Sequence, residues 1–397
     1  MGAYLEIMRA PRVAVLVAAT LLGRLPFAIN ALAVLLYARE VTGSFAGAGL
    51  VSGGLALGSA FGAPVQGRLV DRRGEGMLVT LAFIHSAALL SIWATGAAGA
   101  PTAVLTALAL TAGVAFPPTG SVLRSRWSSL LADDPDLVRG AYALDSILIE
   151  VAFISGPLLT AAGLALSGPE LMLVISAGLN IAGALLFVAF LPPAPGAFRE
   201  GEQSGVWGAL ASPGIRTMAL ASVPVGFCIG TIEVALPAFS ASHGSAELSG
   251  VLLATWSAGS AIGGFVYGVR RRGRPLLEIH TRLAFLLPLA CLPLLLGTTP
   301  ALMALLVILA GIPLAPLIAT RNELVSRIAP GGAITEAFTW PLTALVGGLS
   351  LGVAAAGGIV DGSGWAAAIA TGVAVALVGA CFVAVRRGTI APAPAPA

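Results

Sequence analysis

Lysine is absent from the 397-residue chain, and charged residues of every kind make up only 10% of it. A soluble domain is about one quarter charged, so an ordinary soluble protein is excluded. The all-arginine basic set reads as the codon bias of a GC-rich genome rather than as chemistry. The three cysteines, Cys228, Cys291 and Cys381, stand apart inside apolar runs, which supports neither a disulfide framework nor a metal site. His85, His243 and His280 lie in separate segments, with no nucleophile and base at motif spacing. No enzyme and no cofactor are expected. The net charge of +3 is spread over short loops and forms no patch, so nucleic acid is not an expected partner.

What the chain has is apolar length. Hydrophobic residues reach 57% and the mean hydropathy is +0.97. A helix of about 20 residues crosses a ~30 Å hydrocarbon core, and the sequence offers twelve such runs. They fall at about 13–37, 46–66, 77–97, 101–122, 142–166, 170–192, 215–239, 248–269, 280–297, 301–320, 334–358 and 364–385. The expected fold is an all-α integral membrane protein of twelve transmembrane helices in two six-helix pseudo-repeats. The expected division is an N-terminal half (1–192), a cytoplasmic linker (193–213), a C-terminal half (214–388) and a disordered Pro/Ala tail (389–397). Arg9 and Arg12 precede the first run with no small-residue cleavage site, which reads as an uncleaved first helix. Arginines fall on alternate loops throughout, so both termini are expected in the cytoplasm of a multi-pass cell-membrane protein. The 50 glycines suit helices that associate in lipid by close backbone approach.

Between the second and third runs lies Gly67-Arg68-Leu69-Val70-Asp71-Arg72-Arg73-Gly74, an arginine-rich turn that also holds an acid. Read as G-x-L-x-D-R-x-G, it resembles the loop between helices two and three of the major facilitator superfamily of secondary transporters. The resemblance implies a latch in which Gly67, Asp71, Arg72 and Gly74 stabilise one of two alternating-access states. Glu75 and Gly76 stand where that family has basic residues. Farther on, Gly156-Pro157 in the fifth run resembles a helix-five motif of the superfamily's drug and proton exchangers. Those exchangers also hold an arginine in helix four, but Thr106 to Val122 contains no charge; Arg24 is a candidate substitute.

An internal repeat agrees with duplicated halves. Leu57 to Gly67 aligns without a gap on Ala258 to Gly268, including Gly58-Ser59-Ala60 on Gly259-Ser260-Ala261. Pro117-Pro118 before Arg124 matches Pro313 and Pro316 before Arg321 more loosely. Glycines four apart, Gly54, Gly58 and Gly62, share one helix face and mark close packing rather than phosphate binding.

Ionisable groups within the runs are few, and each costs about 2.5–3.5 kcal/mol at the bilayer centre. The candidates for substrate or proton handling are Arg24, Asn30, Asp145, Glu150, Glu233 and Glu336. Arg24 and Glu150 are the expected intramembrane pair, either a static bridge or a site where Glu150 takes up and releases a proton. Asp145 is expected near the cytoplasmic end, solvated or paired with a loop, and Glu336 in a structural role, capping the eleventh helix or meeting the Asp71 loop. Phe227, Trp256 and Trp340, with Phe338, are candidate cavity aromatics or packing residues.

The resemblance implies a secondary transporter that works as a monomer in the lipid bilayer and moves a small molecule, with protons as coupling ion. Proton-coupled efflux of a hydrophobic compound or drug is the leading expectation. A proton-coupled importer of a sugar or other nutrient, and a non-transporting sensor or assembly protein on the same scaffold, are the alternatives.

Overall fold

A computed structural model describes residues 11–131, 135–192, 209–269, 274–329 and 334–390. Among them no strand occurs, and helices occupy nearly everything. In chain order they are α1 (Pro11–Thr42), α2 (Phe45–Arg73), α3 (Met77–Ala97), α4 (Thr102–Val114), α5 (Thr119–Leu130), α6 (Pro135–Leu166) and α7 (Pro169–Phe190). Then come α8 (Pro213–Ser242), α9 (Leu248–Val269), α10 (Leu276–Cys291), α11 (Pro300–Gly311), α12 (Leu314–Ile328) and α13 (Ile334–Ile390).

Ten helical stretches among the described residues are long and apolar enough to cross a membrane. One of them, Ala337–Ile390, is too long for a single crossing and contains Gly364 at φ 83°, ψ 172°. That backbone conformation is open to glycine and breaks the helix into two arms. Val151–Leu166 adds a shorter apolar helix within α6. The fold is the all-α membrane architecture expected from the sequence.

One expected boundary moves, and one run is broken. The Gly67–Gly74 stretch, expected as a turn, is helical through Arg73, because nothing between Arg68 and Arg73 breaks a helix once it leaves the apolar run. The reversal is made by Gly74 alone at φ 85°, with its N–H on Val70 O at 2.8 Å. The fourth apolar run, Thr102–Arg124, lies where the sequence puts it, but it is broken at Ala115–Pro118 and its second helix runs on to Leu130. Proline supplies no N–H, so Pro117 and Pro118 end α4, and α5 starts afresh.

The chain divides into two compact units. The first comprises Met1–Gly43 with Gly54–Arg199, the second Ser44–Gly53 with Glu200–Ala397. Inside unit 1, Leu16, Leu78, Leu123, Trp127 and Phe187 form a fully buried core. A second core in unit 2 holds Ile215, Leu324, Val325, Ala337 and Ile390. The repeated glycines pack the same way in each unit. A Cβ at Gly58 or Gly62 would strike the backbone of Leu110 or Val114 in α4. A Cβ at Gly259 or Gly263 would strike the backbone of Ile308 in α11 or of Ile312 at its C-terminal end. The aligned segments are therefore one packing module used twice.

Within unit 2, the first turn of α2 is capped by side chains. Asp361 accepts from Phe45 N (Oδ1, 3.0 Å) and Ala46 N (Oδ2, 2.7 Å), Ser44 Oγ accepts from Gly47 N at 3.0 Å, and Ser44 O accepts from Ala48 N at 3.2 Å. The N–H groups of Phe45, Ala46 and Gly47, which a helix start leaves open, all have side-chain acceptors, the Ala48 bond is the first intrahelical one, and the carboxylate lies at the positive end of the helix dipole.

Candidate functional site

The break between α4 and α5 interrupts regular helix inside the apolar zone of unit 1. Carbonyls left open there need donors, since lipid offers none. His85 Nδ1 donates to Ala112 O at 2.7 Å, and Gln66 Nε2 donates to Val114 O. A carbonyl only accepts, so the proton of His85 is on Nδ1 and Nε2 faces the Asn30 amide, which donates to it at 3.2 Å. Asn30 Oδ1 then accepts from Ser176 Oγ at 2.7 Å. The result is a directional chain from α7 through α1 and α3 to α4, with Asn30, His85 and Ser176 all buried. His85 also meets the edge of Phe116, centroids 5.1 Å apart, and so fixes the aromatic ring at the break.

Beside the break lies a cavity of about 240 Å³, lined by Arg24, Arg124, Phe27, Phe116, Phe153 and the start of α5. The three phenylalanines meet edge to face, Phe27 with Phe116 at 5.5 Å and with Phe153 at 6.0 Å. Arg24 lies flat against Gly120, where any Cβ would collide with the guanidinium. Asp145 bridges the two cations. Its Oδ1 is 2.5 Å from Arg24 Nη2, its Oδ2 is 2.9 Å from Arg124 Nη1, and its backbone carbonyl accepts from Arg24 Nη1 at 3.2 Å. The cluster carries two positive charges against one negative. Arg24 and Asp145 are nearly buried, whereas the Arg124 side chain is 41% exposed. Arg124 is thus the cation within reach of a ligand.

The described partner of Arg24 is Asp145; the side chain of Glu150, the expected partner, lies outside the described residues. Asp145 is buried rather than solvated, because α6 begins at Pro135 and places it about three turns inside the helix. Arg124 was expected in a loop. It stands on the continuation of the fourth run past its prolines, where a count of uncharged residues from Thr106 to Val122 does not look.

The other expected residues are dispersed. Gly156 packs so tightly on Ala28 that a Cβ would overlap it, and Pro157 follows within α6. Glu233 is partly buried on α8 and makes no hydrogen bond or ion pair among the described residues. Trp256 is buried on α9, Trp340 packs against the unit 2 core, and the Phe227 backbone lies against α13 at Gly352. Gly67 lies in α2 with open space around it. The side chains of Asp71, Arg72 and Glu336 lie outside the described residues. Glu75 pairs with Arg126 of α5, a residue only 5% exposed that also donates to Pro192 O at 3.4 Å.

The family model described as Major Facilitator Superfamily matches residues 16–340. The chain belongs to that superfamily. Among solved structures similar to this major facilitator transporter is a variant of the nucleoside transporter NupG, at 18% identity, covering 94% of this chain and 99% of the other with a TM-score of 0.73. A bacterial homologue of the human lysosomal transporter Spinster, inward-facing and occupied, is 17% identical over 98% and 99% with a TM-score of 0.70. The human organic anion transporter MFSD10 is 17% identical over 93% and 98% with a TM-score of 0.64. At these identities the likeness is one of fold. No curated protein matches the transporter's sequence.

Proposed function

We propose that this transporter exports a small, ring-bearing hydrophobic compound with an anionic group, in exchange for protons, by alternating access. The observation that carries the reading is the unit 1 cavity, where three phenylalanine edges flank a half-exposed arginine in a cluster of net positive charge. Aromatic edges suit a planar ring, and a guanidinium pairs with a carboxylate or sulfonate in two parallel hydrogen bonds. Outward movement of a monoanion against inward movement of a proton carries two charges down an inside-negative potential. At 100 mV that supplies about 4.6 kcal/mol, twice the ~2.3 kcal/mol of a single charge.

Glu233 is the best-placed proton carrier of the described acids, because it can gain and lose a proton without breaking an ion pair. Glu150 is the second candidate. The working unit in this reading is a monomer in the cell membrane with both termini in the cytoplasm. Gly67, Asp71, Arg72 and Gly74 act as the cytoplasmic latch, and Gly156-Pro157 seals α6 against α1.

The test uses inside-out vesicles with an acid interior and a pH-sensitive dye, challenged with matched aromatic acids, their neutral amides, and sugars. Proton release triggered by the acids, and lost in Glu233→Gln or Glu150→Gln, is the expected result. Sugar-triggered proton movement in the opposite sense would replace export with import of a nutrient. Equal responses to acid and amide would remove the anionic group from the substrate class.

A further inference from the structure

Unit 2 contains a buried cation with no acid paired to it among the described residues. Arg321 on α12 is only 8% exposed. Its acceptors are neutral and long: Asn322 Oδ1 takes Nε at 3.3 Å and Nη2 at 3.2 Å, and Ser222 Oγ takes Nη1 at 3.4 Å. Ser222 is committed as an acceptor there, since its own proton goes to Met218 O at 2.8 Å. One N–H on each terminal nitrogen is left without an acceptor among the described residues, and no described carboxylate is within ion-pairing range. A guanidinium removed from water without a counter-charge is among the costliest arrangements a protein can hold.

The repeat shows what is missing. Arg321 is the counterpart of Arg124, each following the prolines that break its helix. In unit 1 the counter-charge is Asp145. In the matching stretch of unit 2, Trp340-Pro341-Leu342-Thr343-Ala344, there is no acid. Where a carboxylate would be needed, unit 2 has a cavity instead. It measures about 20 Å³ and is lined by Arg321, His280 and Ser222 together with Met218, Leu317 and Val383. The His280 ring is held in place by its Nδ1–H on Thr320 Oγ1 at 2.9 Å, the Thr320 proton being committed to the Pro316 and Leu317 carbonyls.

We propose that this cavity binds a small monoanion of the size of chloride, on the open N–H groups of Arg321. The volume matches a single water-sized particle. A water fits the space but supplies no charge. A halide fits and supplies the counter-charge that Asp145 provides in the other unit.

Two measurements on the full-length purified protein test this. The first is the thermal unfolding midpoint by tryptophan fluorescence, in sodium chloride, bromide or gluconate at matched ionic strength, for the wild type and Arg321→Gln. A saturable rise in midpoint with chloride and bromide over gluconate, absent in Arg321→Gln, is expected. The same response to gluconate, or the same halide response in the variant, would overturn the proposal. The second measurement needs no variant to fold: crystals of the wild type grown in bromide are examined for anomalous scattering. A bromide peak in hydrogen-bonding range of Arg321 is expected, and a cavity holding only water ends the proposal.

Discussion

Glu75 accepts a hydrogen bond from the buried guanidinium of Arg126, tying the turn after α2 to α5. The residue that departs from the family's usual loop is therefore the one that fastens that loop to the unit. Removing one partner of a buried pair takes a counter-charge from the other, at a cost of about 3 kcal/mol. Glu75→Gln is expected to lower the unfolding midpoint by that order, and Glu75→Gln combined with Arg126→Met to recover most of the loss. Scanning fluorimetry on the purified single and double variants measures both. An unchanged midpoint in Glu75→Gln would show that the pair contributes nothing to the fold.

The doubled glycine module gives a matched pair of predictions. Gly263 faces the backbone of Ile312 as Gly62 faces Val114, with no room for a Cβ in either case. Gly62→Val and Gly263→Val are each expected to cost about 1–3 kcal/mol through forced separation of the helices. Gly67→Val, at a helical position with open space, is expected to raise stability by the few tenths of a kcal/mol that separate valine from glycine in a helix. The ranking is read from unfolding midpoints or from folded yield after membrane extraction.

Asp361 holds the first two N–H groups of α2, and a capping side chain is worth about 1 kcal/mol. Asp361→Ala is expected to raise amide hydrogen exchange at Phe45 and Ala46 about fivefold, with Gly47 less affected because Ser44 still accepts from it. Asp361→Asn keeps an acceptor and loses the charge, so its exchange rates are expected in between. Equal exchange in all three proteins would remove Asp361 from the cap.

The fold was readable because its main signal, apolar length, is additive and local. Twelve runs and an ungapped repeat need no tertiary information. The site was less readable, because its residues depend on where helices end. Arg124 was invisible as a site residue so long as the fourth run was taken to end before it, and only the restart of α5 after Pro118 places it beside Arg24. Asp145 and Glu150 are both acids of the same helix. Which of them meets Arg24 depends on helical phase, and five residues correspond to about 140° of rotation. The capping role of Asp361 joins residues more than 300 positions apart, a separation that no local pattern bridges.

Arg24 and Arg124 share one carboxylate but differ in exposure, and this separates their roles experimentally. Arg24, with 12% of its side chain exposed, is bound to Asp145 through both the carboxylate and the backbone carbonyl. Arg24→Gln is expected to destabilise the protein, because the paired Asp145 then relies on Arg124 alone. Arg124, with 41% of its side chain exposed, keeps a surface toward the cavity. Arg124→Gln is expected to leave the unfolding midpoint nearly unchanged, since Arg24 still neutralises Asp145. Its effect falls on selectivity: a charge-assisted hydrogen bond is worth at least about 1.5 kcal/mol, or roughly tenfold. Competition assays in vesicles are thus expected to show the preference for an aromatic acid over its amide falling about tenfold in Arg124→Gln, with Arg124→Lys retaining part of it. A preference unchanged by Arg124→Gln would mean that the cavity arginine does not face the substrate, and that the positive cluster serves only to bind α6 to α1 and α5.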